Sequence, residues 1–106
     1  MTGATALLLA GYTLPDLAAV QGVLRRTPAL THTLCVLGCI LADYFPHAPL
    51  VLHVDGAGLY LCIGVGDVER ALAGPLATFD REWWQQQPVG LRRQVTIDVE
   101  CTRHGR

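Results

Sequence analysis

The side chains best suited to bind a metal ion lie on one stripe of a predicted helix. His32, Cys35 and Cys39 recur at intervals of three and four residues, and Asp43 follows one turn later. Zinc prefers thiolates and imidazoles as ligands. A straight helix rises about 1.5 Å per residue, so these side chains spread over about 10 Å and at most two neighbours can share one ion. We therefore expect these residues to pack against a second layer, and we predict neither a metal nor a cofactor.

A second set of reactive side chains falls on the less apolar face of the predicted strands. His53, Tyr60, Asp98 and Glu100 are neighbours there if their strands are adjacent. A histidine beside a carboxylate can transfer protons, and Cys62 with His53 is the candidate for a thiol nucleophile. No oxyanion hole is evident in the sequence. The simpler interpretation is a half-exposed sheet face, solvated or in contact with another protein.

Two adjacent tryptophans end the string Phe-Asp-Arg-Glu-Trp-Trp at residues 79–84. Neighbouring residues on a helix point about 100° apart, so the two rings cannot both face one core. The apolar spacing indicates that Trp83 continues the buried stripe. Trp84 is then expected to the side of that stripe, where it covers a sheet edge or anchors another chain.

The residue types that are missing exclude several reactions. The chain has no Ser, Lys or Asn, which excludes a serine nucleophile, a Schiff-base lysine and a P-loop lysine. Eight arginines balance nine acids for a net charge of −1, which disfavours nucleic-acid binding. The apolar run from Ala4 to Ala10 is too short to span a bilayer and follows no basic residue. We expect a cytoplasmic protein with four reduced, buried cysteines and no membrane partner.

The first half of the chain predicts one edge strand and two helices. The run Thr5–Tyr12 fits a strand or a short helix, and the strand is preferred. A helix from Leu14 to Arg26 is expected after a Thr13 cap. The next helix follows Thr27-Pro28 and ends by Phe45. It is apolar nearly all round, so it is expected to be buried on two sides.

The second half predicts a hairpin, a helix and a final strand. Leu50–Val54 and Leu59–Val65 are expected to pair around a two-residue Gly56-Ala57 loop. A helix capped by Asp67 should kink at Gly74-Pro75, and the strand Gln94–Thr102 should run parallel to its predecessor after a crossover. Residues 1–106 therefore form one α+β domain with a mixed sheet of three or four strands and helices on one face.

Residues 44–102 resemble a group of small uncharacterised bacterial proteins. The similarity lies in a strand with the pattern YFPxAPLxLxV and a helix with the pattern ALxxLxxFDxEWW, which correspond here to residues 44–54 and 71–84. The Gly74-Pro75 pair departs from the smooth helix of that pattern. The resemblance implies a shared fold, but it does not imply any enzymatic reaction.

These observations predict a non-catalytic protein-interaction module, an accessory or regulatory subunit that forms a homodimer or docks on a larger partner. Its apolar and aromatic surface exceeds what a domain of this size can bury. A toxin-neutralising or defence-associated partner is a subclass of this hypothesis. The alternative is a small metal- or thiol-dependent enzyme that uses His, Cys and carboxylate groups. The predicted interface residues are Trp84, Tyr60, Arg92 and His53.

Overall fold

A computed structural model of the protein describes residues 2–56 and 58–102. Within that part of the chain, six α-helices surround one face of a four-stranded sheet, as the α+β prediction required. None of the described helices has the length and apolar character needed to cross a membrane. The helices are α1 Gly3–Leu9, α2 Leu17–Arg26, α3 Ala29–Tyr44, α4 Val68–Ala73, α5 Pro75–Glu82 and α6 Val89–Gln94, and the strands are β1 Tyr12–Thr13, β2 Leu50–Asp55, β3 Gly58–Val65 and β4 Val95–Cys101.

The predicted hairpin of β2 and β3 is confirmed together with its register. Leu52 pairs with Leu61 and His53 pairs with Tyr60, so the last pair before the loop joins Asp55 to Gly58. Gly56 begins the loop with φ 62°, a left-handed conformation that suits glycine. Ala57 lies outside the described residues.

The sheet has the order β1-β2-β3-β4, and β4 runs parallel to β3. The predicted crossover through the third helical region is therefore confirmed. The two-residue strand β1 pairs parallel with β2 at the opposite edge. Because β4 is the last strand in the order, its outer side pairs with no other strand of the described chain.

The core lies between the helices and one face of the sheet. Alternate sheet residues such as Leu52, Leu61 and Ile63 are fully buried there. They meet the buried stripe of α3, which includes Leu34 and Leu37. The large apolar side chains buried between these layers supply the main driving force for folding.

The prediction of a strand over Thr5–Tyr12 is wrong, because most of that segment forms α1. The hydroxyl of Thr2 accepts a hydrogen bond from the Thr5 N–H at 3.1 Å and caps the helix. Gln21 in α2 accepts another from the Ala4 N–H at 2.8 Å. Gly11, with φ +101°, then redirects the chain into β1.

Tyr12 connects β1 to α3 through the core. Its buried hydroxyl donates a hydrogen bond to the Leu34 carbonyl at 2.7 Å. A Cβ atom at Gly38 would lie 3.3 Å from the Tyr12 ring, so the glycine makes room for the ring to pack against α3. Burial raises the pKa of the Tyr12 phenol, with the cysteines of α3 adding to the effect.

Helices α2, α4 and α5 each begin at a position that the structure defines more closely than the sequence does. Helix α2 begins at Leu17, later than predicted, because Asp16 caps it by accepting from the Ala19 N–H at 3.1 Å. Asp67 caps α4 as predicted. At Gly74 the expected kink is a full break, since Pro75 starts a separate helix, α5.

Candidate interaction surface

The face of the sheet opposite the helices carries the predicted polar residues. Strand alternation and the register place His53, Tyr60, Cys62, Asp98 and Glu100 on this side. We call these five residues, with Thr96, the open face. His53, Thr96 and Glu100 are exposed, whereas Tyr60 and Asp98 are half-buried. The expectation that these side chains share one sheet face is confirmed.

Tyr60 and Asp98 form the central contact of the open face. The Tyr60 hydroxyl donates to Asp98 Oδ2 at 3.0 Å. The other carboxylate oxygen, Oδ1, accepts from the backbone N–H of Val99 at 2.8 Å. The hydrogen bond to Asp98 raises the pKa of Tyr60, because the ionised phenol has no proton to donate. Tyr60 therefore serves as a neutral donor that holds the carboxylate in place.

Cys62 is the one buried member of the open face. It pairs with Val51 on one side and with Asp98 on the other. Burial, together with the charges of Glu100 and Asp98, raises the pKa of its thiol to about 11. A thiol with such a pKa is protonated at neutral pH and is a poor nucleophile. The candidate pair of Cys62 and His53 thus lacks the activated thiolate that catalysis requires.

His53 lies directly across from Tyr60 in the β2–β3 pair. On the neighbouring strand Tyr60 pairs with Thr96, so a row of three side chains crosses the face from β2 to β4. The imidazole is exposed at one side of this face, and the carboxylates of β4 lie at the other. The surface therefore presents a hydrogen-bond donor on β2 and acceptors on β4.

Two predicted interface residues lie elsewhere. Of the two positions expected for Trp84, the protruding anchor for another chain is wrong, because Trp84 is 9% exposed and Trp83 is the more exposed ring. Helix α5 ends at Glu82, and Trp83 has φ −129°, outside the helical range. The helical rotation of 100° per residue no longer applies there, so both indole rings stack near Phe79, with centroid distances of 5.8 and 6.3 Å.

Arg92 is half-buried in α6 and is held by the loop that precedes this helix. Its Nε donates to the Gln87 carbonyl at 3.1 Å, and its Nη1 donates to Gln85 Oε1 at 3.3 Å. These bonds use two of the five N–H donors of the guanidinium group within its own chain. The structure thus brings His53 and Tyr60 together and leaves Arg92 and Trp84 outside the open face.

The candidate metal ligands His32, Cys35 and Cys39 are not brought together into a site. His32 and Cys39 are exposed on α3, and Cys35 is half-buried. Residues 2–56 and 58–102 contain no group of three histidine, cysteine or acidic side chains able to hold a metal ion. The expectation that α3 is buried on two sides is also wrong, since His32, Val36 and Cys39 leave its second face exposed. The prediction that all four cysteines are buried fails too, because Cys39 and Cys101 are exposed.

Comparison with known proteins gives no match among protein families, curated proteins or solved structures. The resemblance of residues 44–102 to small bacterial proteins therefore stays a prediction.

Sequence reasoning missed a concave surface on the helix side of β4. Helices α4 and α5 and strand β4 enclose a groove of about 270 Å³. Its walls include Leu72, Phe79, Trp84 and Ile97, with Asp80 among them. The sequence placed Leu72 and Phe79 on the buried helical stripe and Ile97 on the apolar face of its strand, but it placed Trp84 to the side of that stripe. The groove between these elements depends on how the helices pack on β4, which no spacing pattern measures.

Proposed function

We propose that this protein is a non-catalytic interaction module that binds another protein chain through the open face of its sheet. The observation that carries the proposal is the one-sided covering of the sheet: the core side chains of the strands meet helices, and the open face has no covering layer in the described chain. Antiparallel and mixed sheets tolerate one solvated face, but a face carrying an aromatic ring, a donor and acceptors is also suited to recognition.

A second copy of the chain is the first candidate partner. A twofold axis running along β3 in the interface would place β2 of each protomer opposite β4 of the other. By the register, His53 of each copy would then lie opposite Thr96 of its partner, and the nearest carboxylate there would be that of Asp98, about 7 Å farther along β4, so that a donor approaches an acceptor. A larger partner protein would bind to the same donor and acceptors. We further propose that the protein acts as an accessory subunit in the bacterial cytoplasm.

The alternative of a small metal- or thiol-dependent enzyme receives less support. The raised pKa of Cys62 works against a thiolate, and the hydrogen bonds of Asp98 hold it to Tyr60 and Val99. A general base needs a free acceptor within reach of a substrate proton. Asp98, with both carboxylate oxygens engaged, does not meet this requirement.

The oligomeric state tests the proposal. Light scattering after size exclusion, over concentrations up to about 1 mM, should give twice the chain mass of 11.5 kDa for the parent protein. His53→Glu should return the monomer mass, because it sets a further acid against the partner's carboxylates. His32→Glu makes the same change at an exposed position on α3 and should leave the dimer intact.

A charge-swap variant sharpens the result. Thr96→Arg combined with His53→Glu should restore the dimer that His53→Glu loses, since the register places these two positions opposite each other across the twofold axis. A parent protein that stays monomeric throughout the range contradicts self-association. Equal effects of His53→Glu and His32→Glu would show that net charge, and not the open face, controls association.

A further inference from the structure

The outer side of β4 has backbone groups free for pairing with another strand. Thr102 donates its N–H to the Val65 carbonyl at 3.0 Å, which fixes the hydrogen-bonding phase of the β3–β4 pair. In a parallel pair the N–H and C=O of one residue point to the same side, and successive residues alternate. Thr96, Asp98 and Glu100 therefore bond toward β3. The backbone groups of Ile97 and Val99 point outward.

Asp98 partly closes this outer edge. Its Oδ1 occupies the Val99 N–H, while Tyr60 holds its Oδ2. Within residues 2–56 and 58–102, the N–H and C=O of Ile97 remain available, as does the Val99 carbonyl. An incoming strand can thus pair at Ile97 with both backbone groups.

The groove beside β4 lies where the side chains of such a strand would point. In an antiparallel pair, the residue opposite Ile97 would exchange two hydrogen bonds with it and project its side chain to the same face as Ile97. Ile97 faces the helices and lines the groove with Leu72 and Trp84. An aliphatic side chain at that position, and others two residues away, would be received by apolar walls.

The acidic residues near β4 favour basic side chains at the remaining positions of the incoming strand. Alternate residues of the incoming strand would project to the open-face side, beside Asp98 and Glu100. Cationic side chains on the incoming strand complement these acids. A second copy of the chain would instead pair its own β4 antiparallel to this one and bring the acids of both copies onto one face. Like charges across strands are destabilising, so a second copy of β4 fits this edge poorly.

We propose that the edge of β4 and the adjacent groove bind an extended segment of a partner protein in which aliphatic and basic residues alternate. The segment adds a fifth strand to the sheet, with its aliphatic side chains in the groove and its basic side chains beside Asp98 and Glu100. The inference rests on the proposed function in that the ligand is a protein chain. The two binding modes share Asp98 and Glu100, but strand addition uses the outer edge of β4 and the groove, whereas the dimer uses His53.

Fluorescence anisotropy with a synthetic peptide tests this pairing. The probe is a fluorescein-labelled peptide of sequence Arg-Val-Arg-Leu-Arg-Val-Arg, with its C terminus amidated. It should bind saturably, and a peptide of the same composition in the order Arg-Arg-Val-Leu-Val-Arg-Arg should bind at least about tenfold more weakly. Methylation of the central leucine N–H removes one strand hydrogen bond without changing charge. This modification should weaken binding by a similar factor.

Protein variants locate the binding site. Leu72→Lys puts a positive charge into the groove wall and should weaken binding at least about tenfold. Leu17→Lys is a matched control, because Leu72 is 46% exposed and Leu17, on α2, is 47% exposed. The control should retain parent affinity, and amide chemical shifts should change at Ile97 but not on α2.

The outcomes also separate this inference from the proposed function. His53→Glu should abolish the dimer and leave peptide binding unchanged, while Leu72→Lys should do the reverse. Equal binding of the alternating and reordered peptides would overturn the strand-addition proposal, as would equal affinity of the Leu72→Lys and Leu17→Lys variants. Dimerisation lost in Leu72→Lys would show that a second copy occupies the edge, which also overturns it.

Discussion

The buried thiol of Cys62 should make the protein less stable at alkaline pH. Burial and the nearby charges of Glu100 and Asp98 together raise the pKa of the folded thiol to about 11. The pKa of an unperturbed thiol is 9.0. The unfolded chain exposes the thiol and therefore releases its proton first. The stabilisation is fully present below about pH 9 and is lost as the pH rises toward the folded value near 11.

The size of the effect follows from the two pKa values. One pKa unit corresponds to about 1.4 kcal/mol, so the interval from 9.0 to about 11 corresponds to about 2.7 kcal/mol when the titration is complete. At pH 10 the unfolded thiol is mostly ionised and the folded thiol is mostly protonated. About 1.4 kcal/mol of unfolding free energy should then be lost relative to neutral pH.

Urea unfolding followed by tryptophan fluorescence, under reducing conditions at pH 8 and pH 10, measures this loss. Cys62→Ala should lose about 1.4 kcal/mol less than the parent protein between the two pH values. Cys101→Ala removes an exposed thiol and should behave as the parent does. Tyr12 and Tyr44, whose pKa values are also raised, titrate alike in all three proteins. Equal losses in the parent and Cys62→Ala, within about 0.5 kcal/mol, would refute the assignment.

Three further substitutions test the packing in the same unfolding assay. Phe79→Ala should cost about 3–5 kcal/mol, because Phe79 is 1% exposed and contacts both indole rings; a cost below about 1 kcal/mol would contradict its central position. Asp16→Ala should cost about 1 kcal/mol by removing the acceptor for the Ala19 N–H, and Asp16→Asn should recover most of it. Gly64→Ala should cost about 1–3 kcal/mol, because its Cβ would lie 2.7 Å from Pro49 Cγ, and parent-like stability would show that the strand ends shift freely.

The sheet was largely predictable because strand alternation reports which side chains face the core. In β2 and β3 the alternation of Leu52, His53 and Val54 fixed the face, and the short loop fixed the register. The sequence also predicted that Tyr60 and Asp98 share a face. Their hydrogen bond depends on the offset between two parallel strands, which is set by the packing of the helices between them.

The N-terminal segment was not predictable from its own residues. The apolar run before Gly11 satisfies both a strand and a short helix, and short runs carry no decisive period. Contacts from distant residues favour the helix: Gln21 accepts from the Ala4 N–H, and a Cβ at Gly3 would lie 2.7 Å from Thr31 Oγ1. Both partners lie on other helices, so a local pattern does not contain them.

The two tryptophans show how a correct premise led to a wrong assignment. The 100° rule holds within a helix, but α5 ends before Trp83, and the following turn brings Trp84 back against Phe79. The apolar surface that had suggested an exposed anchor instead forms the wall of the groove beside Ile97. A buried indole is a rigid wall with few accessible rotamers, so it can receive a partner's side chain without first losing conformational entropy. Under the strand-addition proposal, Trp84 therefore contributes by shaping the surface that the partner enters, and not by protruding from it.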